Sequence, residues 1–149
     1  MTLTEISNLI QSIVATLPNT VYLRATERDA NISLDYIDLE SKTVCLFNNL
    51  PEITNSVSQS GLITQTIPIE IQVLQLADID DTTGEGDTIR DACSAIANSI
   101  FDLVTKDQYL PDTFEYAIDY VGEFKIYDKT MTGARLGFVF NAYRTTYSC

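Results

Sequence analysis

Residues 76–92 read LADIDDTTGEGDTIRDA and concentrate groups that could do chemistry. Six carboxylates stand against Arg90 alone, and Gly84 and Gly86 lie among them. Carboxylates at this density can ligate a hard cation or exchange protons, and glycines let a backbone approach a phosphate. The stretch is therefore a metal site, a phosphate-binding loop, a catalytic carboxylate pair or a solvated connection.

A calcium-binding loop of the EF-hand type needs oxygen ligands at alternate positions, glycine at the sixth position and a carboxylate at the twelfth. Counted from Asp78, the sixth residue is Thr83 and the twelfth is Ile89, so the pattern fails at both places. The segment GEGD has no lysine and places carboxylates where a phosphate would lie, which excludes a phosphate-binding loop. We assign no metal ligand and no cofactor, and a looser divalent-cation site remains an alternative.

The chain lacks several features that enzymes commonly use for catalysis. There is no histidine, which removes the common general base near neutral pH and the triads that depend on it. The three cysteines, Cys45, Cys93 and Cys149, do not have a zinc-ligand spacing, and we expect buried or idle thiols. A carboxylate pair would need a pocket that separates the two pKa values, which a polar loop rarely supplies. We assign no catalytic residue and expect a protein that is not an enzyme.

Length and composition indicate one folded domain over residues 1–149. The chain is 45% hydrophobic and 20% charged, as folded globular proteins are. Its net charge of -12, with scattered basic residues, opposes binding to nucleic acid and to anionic membranes. The aromatic residues after position 114 therefore indicate a packed sheet more than a platform for nucleic-acid bases. The N-terminus lacks a signal-peptide pattern, so we expect synthesis and use inside a cell.

The N-terminal half predicts one helix followed by strands. Apolar residues at helical spacing predict an amphipathic helix over residues 3–17. Segments 20–26 and 42–49 are rich in β-forming residues and predict strands. An acidic excursion without a readable pattern, residues 27–41, lies between them. The polar segment 52–60 predicts a loop.

Residues 61–76, GLITQTIPIEIQVLQL, alternate apolar and polar side chains and predict one long strand. The alternation changes phase at Leu74, which predicts a bulge near residue 73. Because Pro68 cannot donate a ladder hydrogen bond, this part of the strand should lie at a sheet edge or have the missing donor facing out.

The C-terminal half predicts a helix followed by a hairpin. Apolar residues on one face predict a helix capped by Asp87. Strict alternation predicts a strand over residues 114–120 that continues after Gly122, then a hairpin loop over 128–133 and a closing strand over 134–147. The order of elements predicts an α+β fold: a mostly antiparallel sheet, two main helices packed on it, and a long C-terminal β-hairpin.

These elements, in this order, resemble the tail terminator and tail completion proteins of tailed bacteriophages. The resemblance rests on the N-terminal amphipathic helix, the strand IPIEIQVLQLAD, the acidic loop, the helix DTIRDACSAIANSIF and the closing strand LGFVFNAYRTTY. It covers residues 61–149 best, whereas the segment 27–41 departs from the compact family plan. Members of that family are small α+β proteins that form a ring at the head-proximal end of the tail tube.

The resemblance implies a structural virion protein located in the tail or neck and made in the host cytoplasm. Its partners would be further copies of itself in a homo-hexameric ring, the tail tube protein and a head-side neck or connector protein. The ring would leave a channel through which DNA passes without specific binding, since carboxylates repel the phosphate backbone. No membrane and no cofactor are implied.

Two segments are the predicted sites of such a ring. The acidic loop would face the lumen or an adjoining ring through Asp78, Asp80, Asp81, Glu85 and Asp87. The hairpin tip would contact a neighbouring subunit through Asp128, Lys129, Thr130, Met131 and Thr132. The exposed edge of the long strand could pair with a neighbour. Two alternatives stay open: a neck adaptor or tail-hub ring protein, and, from another class, a small acidic divalent-cation-binding protein or enzyme.

Overall fold

A computed structural model describes residues 3–24, 42–48, 52–77, 84–106, 116–126 and 129–145. They form α1 Leu3–Ala15, β1 Thr20–Arg24, β2 Thr43–Phe47, β3 Thr54–Val57, β4 Leu62–Leu76, α2 Glu85–Thr105, β5 Tyr116–Ile126 and β6 Lys129–Thr145. The segment 27–41 lies outside the described residues. The fold is α+β, with a mostly antiparallel sheet and a C-terminal hairpin, and that prediction is confirmed.

The sheet is organised around the pairing of β4 with β6. Its strand order is β1-β2-β4-β6-β5, and β3 also pairs with β4. Every residue of β4 has an antiparallel partner in β6, from Leu62 opposite Thr145 to Leu76 opposite Met131. β5 joins β6 as the other half of the hairpin, and β1 pairs with β2 in parallel.

β4 lies inside the sheet, so the prediction that it offers a free edge to a neighbour is wrong. β6 covers one side of it, while β2 pairs with residues 71–74 and β3 with residues 63–66 on the other side. Pro68 falls between those two paired segments. The amide of Asn48 donates to the Glu70 carbonyl on that side, and ladder bonds alternate along a strand. The missing donor of Pro68 therefore faces the gap between the described pairings with β2 and β3.

The main core lies between the sheet and the two helices. Helical spacing brings one apolar stripe of α1 and one of α2 onto the same sheet face. The buried residues that α1 and α2 supply to it are Ile6, Ile10, Ile13, Val14, Cys93, Ala97, Ile100, Phe101 and Val104. β4 supplies alternate residues, Ile67, Ile69, Ile71 and Val73. Full burial of one such side chain stabilises the fold by about 1.5–3 kcal/mol.

The change of pattern at Leu74 comes from burial on both sheet faces, and the bulge predicted near residue 73 is wrong. The register of β4 with β2 and with β6 runs unbroken through Val73 and Leu74. Leu74 packs with Val44 and Met131 in a second buried cluster on the face opposite the helices. A register shift is found in β5 instead, between Val121 and Phe124.

The loop predicted over residues 52–60 is wrong in part, because residues 54–57 form β3. All four residues of β3 are exposed. A strand is recognised in a sequence by the alternation of apolar and polar residues. A strand that is exposed on both faces lacks this alternation, so the sequence does not reveal it.

The hairpin loop predicted over residues 128–133 is wrong from Lys129 onward, where β6 begins. Three residues assigned to a subunit contact are buried within the chain itself: Thr130, Met131 and Thr132. A contact with a neighbour needs an exposed tip, which these side chains do not provide. Asp128 and the Lys129 side chain lie outside the described residues.

Gly133 explains why this segment resembled a turn. It lies close to the backbone of β4, and an added Cβ would overlap the carbonyl oxygen of Val73. Glycine is therefore required here by the close approach of two strands and not by a turn.

Candidate functional site

The acidic loop reaches the described residues only at its C-terminal end. Three of its carboxylates lie outside them: Asp78, Asp80 and Asp81. α2 begins at Glu85, whose side chain is also outside, and follows Gly84, which has the left-handed φ of 81°. Gly84 is therefore the residue that caps the helix, and the prediction of Asp87 as the cap is wrong. In the first turn, the Asp87 carboxylate still lies near the positive end of the helix dipole.

A chain of hydrogen bonds connects this helix end to the hairpin. The Arg90 guanidinium donates to the Asp87 carboxylate at 2.8 Å and to the Thr132 hydroxyl at 3.0 Å. The Thr132 hydroxyl in turn donates to the Val121 carbonyl at 2.6 Å, beside the bulge of β5. The only cation in the acidic stretch is thus held against the sheet, where it fixes α2 to β5 and β6.

A second carboxylate of α2 contacts the outer strand of the hairpin. The Tyr120 hydroxyl donates to the Asp91 carboxylate at 2.8 Å, although the tyrosine is 62% exposed. This hydrogen bond, together with repulsion from the Asp91 charge, raises the pKa of Tyr120 above its ordinary value. The neutral phenol is the form that donates, so the contact holds α2 and β5 together at neutral pH.

An open groove of about 660 Å³ lies on the sheet face opposite the helices. Side chains alternate along β6, so Arg135, Gly137 and Val139 point away from the core that contains Leu136 and Phe138. Gly137 leaves open space, since a Cβ added there would reach only the Ile69 carbonyl oxygen at 4.0 Å. The groove therefore gains room where β6 carries no side chain.

Carboxylates outnumber cations around this groove. Its charged lining residues are Glu52, Glu70, Asp119 and Arg135. Arg135 donates to the Asp119 carboxylate at 3.3 Å, and Gln72 donates to the Glu70 carboxylate at the same distance. Because Arg135 offsets a single carboxylate, the groove keeps an excess of negative charge. That charge disfavours anionic ligands.

No continuous stretch of the sequence contains the residues of this groove. Its charged residues come from β4, β5, β6 and the segment before β3, so they are not close in sequence. The one local signal was Glu70 between Ile69 and Ile71, which marks a polar sheet face.

Two cysteines lie in the helix-side core. Burial raises the pKa of Cys45 to about 12, with repulsion from Cys93 adding to it, and burial raises the pKa of Cys93 to about 11. Both groups are therefore neutral thiols at neutral pH and poor nucleophiles. The expectation of buried thiols is confirmed for these two, and Cys149 lies outside the described residues.

Within the described part of the chain, no three His, Cys, Asp or Glu residues are grouped so that they could hold a metal ion. None of the helices in the described ranges is long and apolar enough to cross a membrane.

No protein-family model and no curated protein sequence matches this chain.

Proposed function

We propose that the chain is a structural subunit of a tailed-bacteriophage virion, a tail terminator or tail completion protein. Six copies form a ring that caps the tail tube at its head-proximal end. The ring binds the tail tube protein on one side and a head-side neck or connector protein on the other. DNA leaves through its central channel. The function is assembly and not catalysis.

The observation that carries this proposal is the way the elements of the resemblance combine. β4, α2, β5 and β6 lie in the range 61–149 that the resemblance covers best, and they belong to one structural unit in which α2 packs on β4, β5 and β6. β6 is the middle strand of that unit, since it pairs with the whole of β4 on one side and with β5 on the other. This arrangement supports the proposed subunit, because the segments in that range fold together.

The charge supports the same function. At -12, the chain repels the phosphate backbone, so a channel built from it lets DNA slide instead of adhering. Asp87, Asp91 and Asp102 place exposed carboxylates along α2, and the groove on the opposite sheet face keeps an acidic excess. Negative charge is thus present on both sides of the sheet.

Negative-stain electron microscopy of the purified protein tests the proposal, first alone and then mixed with purified tail tubes. We expect rings with a central hole and the addition of one ring to one end of each tube. Protein that remains monomeric and binds neither tubes nor neck components contradicts the proposal.

A neck adaptor or tail-hub ring protein would also form rings, and position separates it from a terminator. In a reconstruction of the intact virion, a terminator lies at the junction of tail tube and neck. Density at the distal end of the tail would identify a hub subunit, and density inside the neck would identify an adaptor.

A further inference from the structure

Two opposite edges of the sheet each carry an exposed apolar surface. The first belongs to the hairpin arm, defined as residues 53–66, in which no residue is buried. Its large exposed apolar side chains are Ile53, Val57 and Leu62, of which Val57 is 65% exposed. The second belongs to β5, where Tyr116 and Tyr120 are exposed. The remaining large apolar residues with known burial are covered at least in part.

Val57 of the arm and the two tyrosines of β5 lie on the same face of the sheet. Val57 is paired with Ile63, and alternation along β4 places Ile63 on the face of Ile67 and Ile69, which the helices cover. Tyr116 stacks on Phe101 of α2 at 3.7 Å between ring centroids, and Tyr120 bonds to Asp91 of the same helix. If β3 of one copy lay beside β5 of another, Val57 would therefore lie on the same side as the two tyrosines.

Among the described residues, no strand pairs with the outer side of β3 or of β5. Within the described sheet, β3 pairs only with β4 and β5 pairs only with β6. The Ser58 amide donates to the Leu62 carbonyl, so the alternation of the ladder directs the peptide groups of Asn55 and Val57 outward. The same alternation holds in the pairing of β4 with β6 and in the pairing of β6 with β5. It directs the peptide groups of Ile118 and Tyr120 outward from β5.

Length and charge favour the pairing of these two edges. β3 has four residues, and β5 runs regularly from Tyr116 to Val121 before its bulge, which is long enough to receive β3. Residues 53–69 contain no charged side chain at all. Two copies that each carry a charge of -12 repel one another, and an uncharged arm is the surface on which they can meet with the least repulsion.

We propose that β3 in the hairpin arm of one copy pairs with the outer edge of β5 in the next copy, so that the sheet continues from subunit to subunit. Unlike surfaces meet in this contact, so it is heterologous and repeats around a ring until the ring closes. The inference rests on the proposed ring, for which it names the contacting surfaces. β1, the other outer strand, is half-buried along most of its length and is not part of the contact.

Proline substitutions at outward-facing peptide groups test the contact by sedimentation velocity. Asn55→Pro and Tyr120→Pro each remove one outward N–H group without removing a hydrogen bond within the chain's own sheet. We expect each variant to need up to about tenfold more protein than wild type to associate, the order of change that follows from losing one hydrogen bond. Asn55→Ala and Tyr120→Thr keep the N–H group and are the matched controls, with a smaller effect.

Mixing the two proline variants distinguishes this contact from a symmetric one. Each variant keeps one intact surface of opposite type, so the equimolar mixture is expected to form a 1:1 complex that neither variant forms alone. A mixture that stays monomeric overturns the inference. So does wild-type protein that stays monomeric, or a control that weakens association as much as its proline partner.

Val57→Asp supplies a second variant if a proline variant does not fold, as judged by circular dichroism. It adds a charge to the arm, and Thr88→Asp adds the same charge at an exposed position of α2. We expect association to be lost in the first and kept in the second.

Rings that persist in Asn55→Pro and Val57→Asp contradict the arm contact and leave the terminator function standing. Association that depends on the arm, in a protein that never binds tail tubes, supports the contact and contradicts the function.

Discussion

The Arg90 guanidinium donates to the Thr132 hydroxyl at 3.0 Å, although the two residues are 42 positions apart. Thr132 is fully buried, and its hydroxyl donates a hydrogen bond to the Val121 carbonyl. The residue that stood out as the lone cation of an acidic loop therefore stabilises the packing of α2 on the hairpin.

Thr132→Val is expected to lower the free energy of unfolding by about 1–3 kcal/mol. The valine keeps the shape of the side chain but leaves the Val121 carbonyl and one Arg90 donor without this partner. Urea unfolding monitored by circular dichroism measures the change. Thr88→Val is the matched control, because Thr88 is exposed on α2, and its effect should stay within about 0.5 kcal/mol. Equal effects of the two substitutions would show that the buried hydroxyl does not stabilise the fold.

Gly133→Ala is expected to destabilise the fold by about 1–3 kcal/mol or to prevent folding. The new methyl group would overlap the Val73 carbonyl, and two paired strands cannot separate without losing ladder bonds. The midpoint of urea denaturation measures the loss. Gly122→Ala is the control, because no atom lies within 4 Å of the methyl position there and the backbone is not left-handed. A stability loss of the same size at Gly122 would remove the steric explanation.

Alkaline pH is expected to destabilise the protein partly through Cys45. Burial raises the pKa of this thiol from its ordinary 9.0 to about 12 in the folded state. Its contribution to stability is therefore complete below pH 9 and is lost as the pH rises from 9 towards 12. Tyr22, whose pKa is raised mainly by burial, acts in the same direction.

The free energy of unfolding, measured by urea titration at several values between pH 8 and pH 11, checks this expectation. A Cys45→Ala variant should show a shallower decline than the parent protein above pH 9. Both proteins carry Cys149→Ser, so that the third thiol does not contribute. Parallel curves for the two proteins would exclude Cys45 as a source of the decline.

Asp91→Asn is expected to lower the pKa of Tyr120 towards its ordinary value. The hydrogen bond to Asp91 and the negative charge of that carboxylate are the two largest causes that raise it. A pH titration of the tyrosine ring carbon signals by nuclear magnetic resonance measures the shift, with Tyr120→Phe to assign the signal. Asp102→Asn removes an equal charge from α2, and because Asp102 is not among the groups that raise the pKa of Tyr120, the titration should stay unchanged. An unchanged pKa in Asp91→Asn would mean that the 2.8 Å contact does not persist in solution.

The sequence by itself determined the elements whose apolar pattern corresponds to a single kind of burial, either one buried face or burial of every residue. α1 and α2 follow from helical spacing, and β2 follows from a short run of β-forming residues, since all five of its residues are buried. β4 and the hairpin of β5 and β6 follow from alternation. These patterns arise because one face of each element must leave water, whatever its neighbours are.

Only the tertiary structure decided the features that depend on which strands become neighbours. Leu74 breaks the alternation of β4 because both sheet faces are covered there, and Gly133 is needed because another strand passes close to it. β3 is polar and exposed, and its pairing with β4 is a relation that no local pattern contains. The groove likewise joins Glu52, Glu70 and Asp119 from distant segments. A sequence records the environment of each residue, whereas contacts between distant segments are fixed only when the whole chain packs.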